Sequence, residues 1–210
     1  MKQMQTTPPR KSSLKAQHWI FAAGLALMPA LTLAHPGHTH EITHNAFYTG
    51  LIHPFTGLDH LLAMLTVGLW VALTMTNRTQ QASTLLAFLV AMLAGCVLSL
   101  QGILLPAVEP LILLSLLTFG LLAASAIRLP GWIALSITSF FAVFHGFAHG
   151  HEIPAQTQAL TYIGGFLLGT LALLLAGTTL GTALRPHAKW IIRTCGAAVA
   201  AYGLTLLGLT

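Results

Sequence analysis

Apolar residues along this chain fall into long blocks, and the polar positions between them are few and clustered. Six blocks, near 55–75, 84–100, 108–127, 132–149, 158–179 and 188–209, are each long enough to be a membrane span. A helix rises about 1.5 Å per residue, so roughly 20 residues cross a hydrocarbon core of about 30 Å. Asn77, Pro106, Pro110, Pro130, Gly131, Pro154 and Pro186 mark the short connections, as turn-forming residues do. The pattern predicts an all-α polytopic membrane protein with six transmembrane helices and no room for a separate soluble domain. No convincing internal repeat accompanies it.

A further apolar stretch, Trp19 to Leu33, differs from the six. Lys2, Arg10, Lys11 and Lys15 precede it, and Thr32-Leu33-Ala34 closes it before His35. A basic stretch, an apolar run and a small-residue boundary are the pattern of a secretory signal peptide, here cleaved after Ala34. An uncleaved first span is the alternative. Pro29 and the abrupt change to HPGHTHEITH favour cleavage. The expected organisation is a signal peptide over 1–34, a His-rich periplasmic segment over 35–54, and a six-helix transmembrane domain over 55–210.

Charge is scarce and unevenly placed. Charged residues make up 6% of the chain, against about 25% in soluble domains. The net charge of +5 is largely that of the four basic residues before Trp19, so a basic face for nucleic acid is absent. If residue 35 lies outside, the inner loops fall near 77–83, 128–131 and 181–193. Arg78, Arg128, Arg185, Lys189 and Arg193 all lie in or beside those loops, which is the positive-inside distribution. Glu41, Asp59, Glu109 and Glu152 fall on the other side, with nine of the eleven histidines. In a bacterium that side is the periplasmic face of the inner membrane. Cys96 and Cys195 occupy separate apolar runs without metal-type spacing and read as packing residues.

Ionisable residues at membrane depth are costly, and their default reading is functional. The stretch HPFTGLDH holds His53, Asp59 and His60, with Met64 one turn on. Pro54 suits a first helical turn, which would set His53 and His60 two turns apart on one face. Asp59 is placed either to ligate a cation or to hold an imidazole in one tautomer. The stretch FHGFAHGHE spaces His145 and His149 four apart, on one helical face, with Glu152 three residues further. Gly146 and Gly150 leave that face uncrowded, while His151 points away as an accessory position. Imidazole nitrogen with carboxylate oxygen suits divalent first-row metals such as nickel, cobalt, zinc and copper(II). Calcium and magnesium prefer oxygen alone.

A single histidine at a helix end is commonly interfacial. Two clusters with carboxylates, on one side of the membrane, point instead to a site. Glu109 and Ser115 are accessory positions on the third predicted helix. Glu109 either complements the helix dipole or walls the metal's way in. His35, His38, His40 and His44, with Glu41, read as weak metal capture or as a solvated tail.

HPFTGLDH and FHGFAHGHE resemble the two signature motifs of the HupE/UreJ family of nickel and cobalt permeases. The first fits His-x5-Asp-His at His53, Asp59 and His60; the second fits Phe-His-Gly-x-Ala-His-Gly-x-Glu from Phe144 to Glu152. VEPLILLS, with Glu109 and Ser115, also looks like a family segment. The resemblance implies a secondary transporter, not an enzyme, that takes up Ni2+ or Co2+ without a permanently bound cofactor. It also implies a link to the supply of urease or hydrogenase. The expected ligands are His53, Asp59, His60, His145, His149 and Glu152.

The chain has no G-x-x-x-x-G-K-[ST] stretch for P-loop ATP hydrolysis. Imidazoles must be neutral to ligate, so uptake should weaken as pH falls through roughly 6.5. Two rival readings use the same residues. One is an intramembrane zinc-dependent hydrolase; the other is a b-type haem protein with His60 and His145 as axial ligands.

Overall fold

The computed structural model describes residues 46–153, 158–186 and 189–209, all within one compact unit. The expected leader, His35, His38, His40, His44 and His187 lie outside the described residues. Among the described residues seven α-helices follow one another: α1 (Ala46–Ile52), α2 (Leu58–Thr74), α3 (Arg78–Leu100), α4 (Val108–Ser125), α5 (Gly131–His151), α6 (Ala159–Leu184) and α7 (Lys189–Leu207). A 3-10 turn, His53–Phe55, joins α1 to the break before α2. No strand occurs among the described residues.

Helices α3 to α7 are each long and apolar enough to cross a membrane. The segment Ala46–Phe55 and α2 pass that test only together, and they are bent by 75°. The first predicted helix, 55–75, is present as the continuous α2, with the bend at its start and a further helix before it. The chain is already helical at Ala46, inside the expected N-terminal segment, and it breaks at Thr56 and Gly57. Gly57 is extended at φ −94 and ψ 122, and Pro54 in the turn before it has no N–H to donate. His53 and His60 consequently lie on either side of a bend rather than on one helical face.

Lipid supplies no hydrophobic drive for helices to associate, so close backbone approach through small residues takes its place. Three groups are locked in this way: α3 with α5, α4 with α7, and α6 with both α1 and α2. In the first group Gly95 meets the Val143 carbonyl and Gly146 meets the Met92 carbonyl, where a Cβ would overlap. Contacts between groups are sparser.

The same contacts give direction. Gly50 faces Tyr162 and Phe166, and Gly68 faces Leu174, Gly177 and Thr178 further along α6. Helices α1 and α2 thus follow one another along α6 in the same direction, as one broken span. Helices α3 and α5 are parallel, with Met92 beside Gly146 and Ser99 beside Gly150. Helix α7 is antiparallel to α4, with Gly120 at Ala200 and Gly203 at Leu117.

Trp70, Phe88, Met92, Phe119 and Leu174 are fully buried between the groups. The Trp70 indole Nε1 donates to the Ile127 carbonyl at 3.1 Å, tying α2 to the end of α4. At the same end, Arg193 Nε donates to the Ala124 carbonyl at 2.6 Å and Arg185 Nη1 to the Ala72 carbonyl at 3.4 Å. Outward positions such as Leu86, Val90, Leu121, Leu180 and Leu204 are large, apolar and exposed. So extensive an apolar exterior fits a lipid surround.

Candidate metal centre

The break between α1 and α2 aims His53 at α5 and α6. Its ring lies 4.7 Å from that of His149, with Tyr162 and Phe166 at 5.7 and 6.3 Å. Helix α5 continues to His151, and the Glu152 N–H still bonds the Ala148 carbonyl at 3.2 Å. Helical spacing therefore carries through to Glu152 and sets it beside His149. Glu152 Oε2 lies 2.9 Å from His53 Nε2 and 3.2 Å from His149 Nδ1. The ligand atoms of these three residues all lie within 4.8 Å of one another.

His149 is the informative member. It is 1% exposed, and neither ring nitrogen has an aligned hydrogen-bond partner. The 3.2 Å approach of Glu152 is an ion-pair distance without hydrogen-bond alignment. A buried polar group left unpaired costs about 1–3 kcal/mol and calls for an explanation. Two imidazoles and one carboxylate form a donor set that a divalent first-row cation satisfies. The C-terminal end of α5, with its negative dipole, adds to the attraction. Glu152 itself is half exposed, and the His149 and His53 imidazoles beside it hold its carboxyl below the usual carboxylate range.

His60 and His145 form a second pair. Their Nδ1 atoms are 2.8 Å apart, and His145 Nε2 lies 2.8 Å from Ser115 Oγ. Both His145 nitrogens are thus engaged by protein, and the side chain is completely buried. The His60 ring lies over that of His149, centroids 3.9 Å apart, so the two pairs adjoin. Nitrogens 2.8 Å apart admit no porphyrin plane between them, which removes the haem reading. Asp59 Oδ2 stands 3.9 Å from His60 Nε2, beyond hydrogen-bond reach.

Asp59, His60, Glu109, His151 and Glu152 line a cleft of about 560 Å³ whose apolar wall includes Leu105, Ile112 and Phe147. The cleft has three carboxylates and no Lys or Arg among its lining residues. His151 is exposed, stacks on Phe147 and stays out of the His53–His149–Glu152 group. Met64 is 1% exposed within the apolar core, where it packs. Tyr162 and Phe166 were not singled out by sequence, yet Phe166 lies 4.2 Å from the His149 ring. Their four-residue spacing on α6 was the only available signal, and it is equally that of ordinary packing.

The geometry can be set beside known proteins. The family model described as "HupE / UreJ protein" matches residues 23–206. Protein HupE of Rhizobium leguminosarum bv. viciae is 38% identical over 182 residues, which is 86% of this chain and 94% of that protein. No solved structure shows a significant match. With a helical membrane bundle, both long motifs and a match over nearly the whole length, the chain belongs to the HupE/UreJ family.

Proposed function

We propose that the chain is a permease importing a divalent first-row cation, Ni2+ or Co2+, across the bacterial inner membrane. The buried imidazole of His149, whose Nε2 has no hydrogen-bond partner and whose Nδ1 has only Glu152 at 3.2 Å, together with nearby His53, is the observation that carries this reading. Family membership and the two motifs support it. The acidic cleft faces the periplasm, and the end bearing Arg78, Arg185, Lys189 and Arg193 faces the cytoplasm, in keeping with the positive-inside bias.

A hydrated cation is drawn into the cleft by Asp59, Glu109 and Glu152, then exchanges water for His53, His149 and Glu152. His60, His145 and Asp59 form the adjoining part of the site. Few protein donors keep ligation labile, as transport requires. Along α2 beyond His60, Met64, Val67 and Trp70 are fully buried and apolar. Passage therefore needs relative movement of the helix groups. His53 belongs to the group built on α6, whereas His149 and Glu152 belong to α5, so that movement also separates the ligands. An inside-negative potential favours entry of a +2 ion by about 4.6 kcal/mol per 100 mV.

Uptake of Ni2+ into proteoliposomes, with Co2+, Zn2+ and Cu2+ as competitors, tests the reading. Potential-dependent Ni2+ or Co2+ accumulation that fails in His149→Ala supports it. Zinc retained through purification, with no vesicle uptake, would instead identify a hydrolase-type centre.

A further inference from the structure

We propose that Ser115 is a positioning residue that sets the tautomers of His145 and His60, and so decides which His60 nitrogen can receive a cation. The proposal rests on the metal-transport reading above and deepens it.

Ser115 Oγ lies 2.6 Å from the Ile112 carbonyl oxygen and 2.8 Å from His145 Nε2. A carbonyl oxygen only accepts, and two oxygens at 2.6 Å need a hydrogen between them. The hydroxyl therefore donates to Ile112, and its single hydrogen is committed. Towards His145 the oxygen can only accept, so His145 Nε2 carries the N–H. A neutral imidazole has one N–H, which leaves His145 Nδ1 as an acceptor. That atom is 2.8 Å from His60 Nδ1, so His60 donates from Nδ1.

His60 Nε2 is then the nitrogen with the free lone pair. It stands 3.9 Å from Asp59 Oδ2, and His60 and Asp59 both line the acidic cleft. Running the chain the other way has two consequences. It would direct an N–H at the cleft, and it would leave the two oxygens of Ser115 and Ile112 in contact without a hydrogen. Ser115 and His145 are both 0% exposed, so water does not compete for these bonds.

The relay also crosses all three helix groups, from α4 through α5 to α2. Ser115 belongs to the group that supplies none of the three clustered ligands, which is why a role in positioning, not ligation, fits it. Partners of this kind fix the ring orientation and tautomer of a metal-binding histidine.

The test uses full-length protein labelled with 15N-histidine in lipid nanodiscs, without metal, and then titrated with Ni2+. Wild type should show opposite tautomers, N–H at Nε2 of His145 and at Nδ1 of His60. Ser115→Ala should lose that order and bind Ni2+ about 10–100-fold more weakly. Ser115→Thr keeps a hydroxyl able to bond the same carbonyl, and should restore both properties. A His60 ring carrying its N–H at Nε2 in wild type would overturn the proposal. So would Ser115→Ala with wild-type ring spectra and affinity. Opposite tautomers in a wild-type protein that binds no Ni2+ would leave the relay standing and defeat the transport reading.

Discussion

Gly150 lies between two candidate ligands and against α3, so an added methyl group there probes packing and site together. A Cβ at residue 150 would stand 2.7 Å from Ser99 Cβ and 2.9 Å from the Cys96 carbonyl oxygen. Ordinary contact begins near 3.4 Å, so the gap must open by about 3.4 − 2.7 = 0.7 Å. Neither obstructing atom is the tip of a flexible side chain, and the end of α5 must therefore move. Overpacking of this kind costs about 1–3 kcal/mol. Replacing glycine within a helix returns about 0.5–1 kcal/mol, which leaves a net loss of about 0–2.5 kcal/mol. Metal binding should suffer more than stability, because metal–ligand distances tolerate only about 0.2 Å.

Gly150→Ala is thus expected to melt slightly earlier in detergent and to lose at least about tenfold in Ni2+ affinity, roughly 1.4 kcal/mol. Gly164→Ala is the internal control, since a Cβ there meets nothing within 4 Å. It should melt at or above the wild-type temperature and transport normally. Gly150→Ala and Gly164→Ala behaving alike in both assays would refute the packing argument.

His53→Ala, His149→Ala and Glu152→Gln should each lower initial Ni2+ uptake rates sharply. His151→Ala should stay close to wild type, because that ring is outside the cluster; equal losses at 149 and 151 would count against the grouping. The lowered carboxyl of Glu152 keeps it ionised as pH falls. Its favourable contribution is full above the ordinary carboxylate value near 4.3 and is lost only on acidification through its lower folded value. The ratio of wild-type to Glu152→Gln uptake should therefore show no carboxylate titration between about pH 5.5 and 7.5. A ratio that collapses across that range would show that Glu152 titrates there. Trp70→Phe removes the indole hydrogen bond to Ile127 and should cost about 1–2 kcal/mol in unfolding free energy. An unchanged melting temperature would show that this link does not hold α2 to α4.

Much of this protein was legible without coordinates because the bilayer reads chains locally. A span needs a certain length of apolar helix, so hydropathy alone located five of the six crossings and, of the broken first one, only the part after the bend. The 145, 149 and 152 spacing likewise predicted a shared helical side, since 3.6 residues per turn is a local property. Long-range pairing was different. His53 meets Glu152 across 99 positions, and His60 meets His145 across 85. Those meetings depend on which helices lock through glycine and on the bend at Thr56–Gly57, and neither is encoded in the periodicity of a single segment. The division of the histidines into a cluster around Glu152 and a relay ending on Ser115 was decided only by the packed bundle. A hydrogen-bond direction depends on what lies across the seam, and a sequence lists neighbours only along the chain.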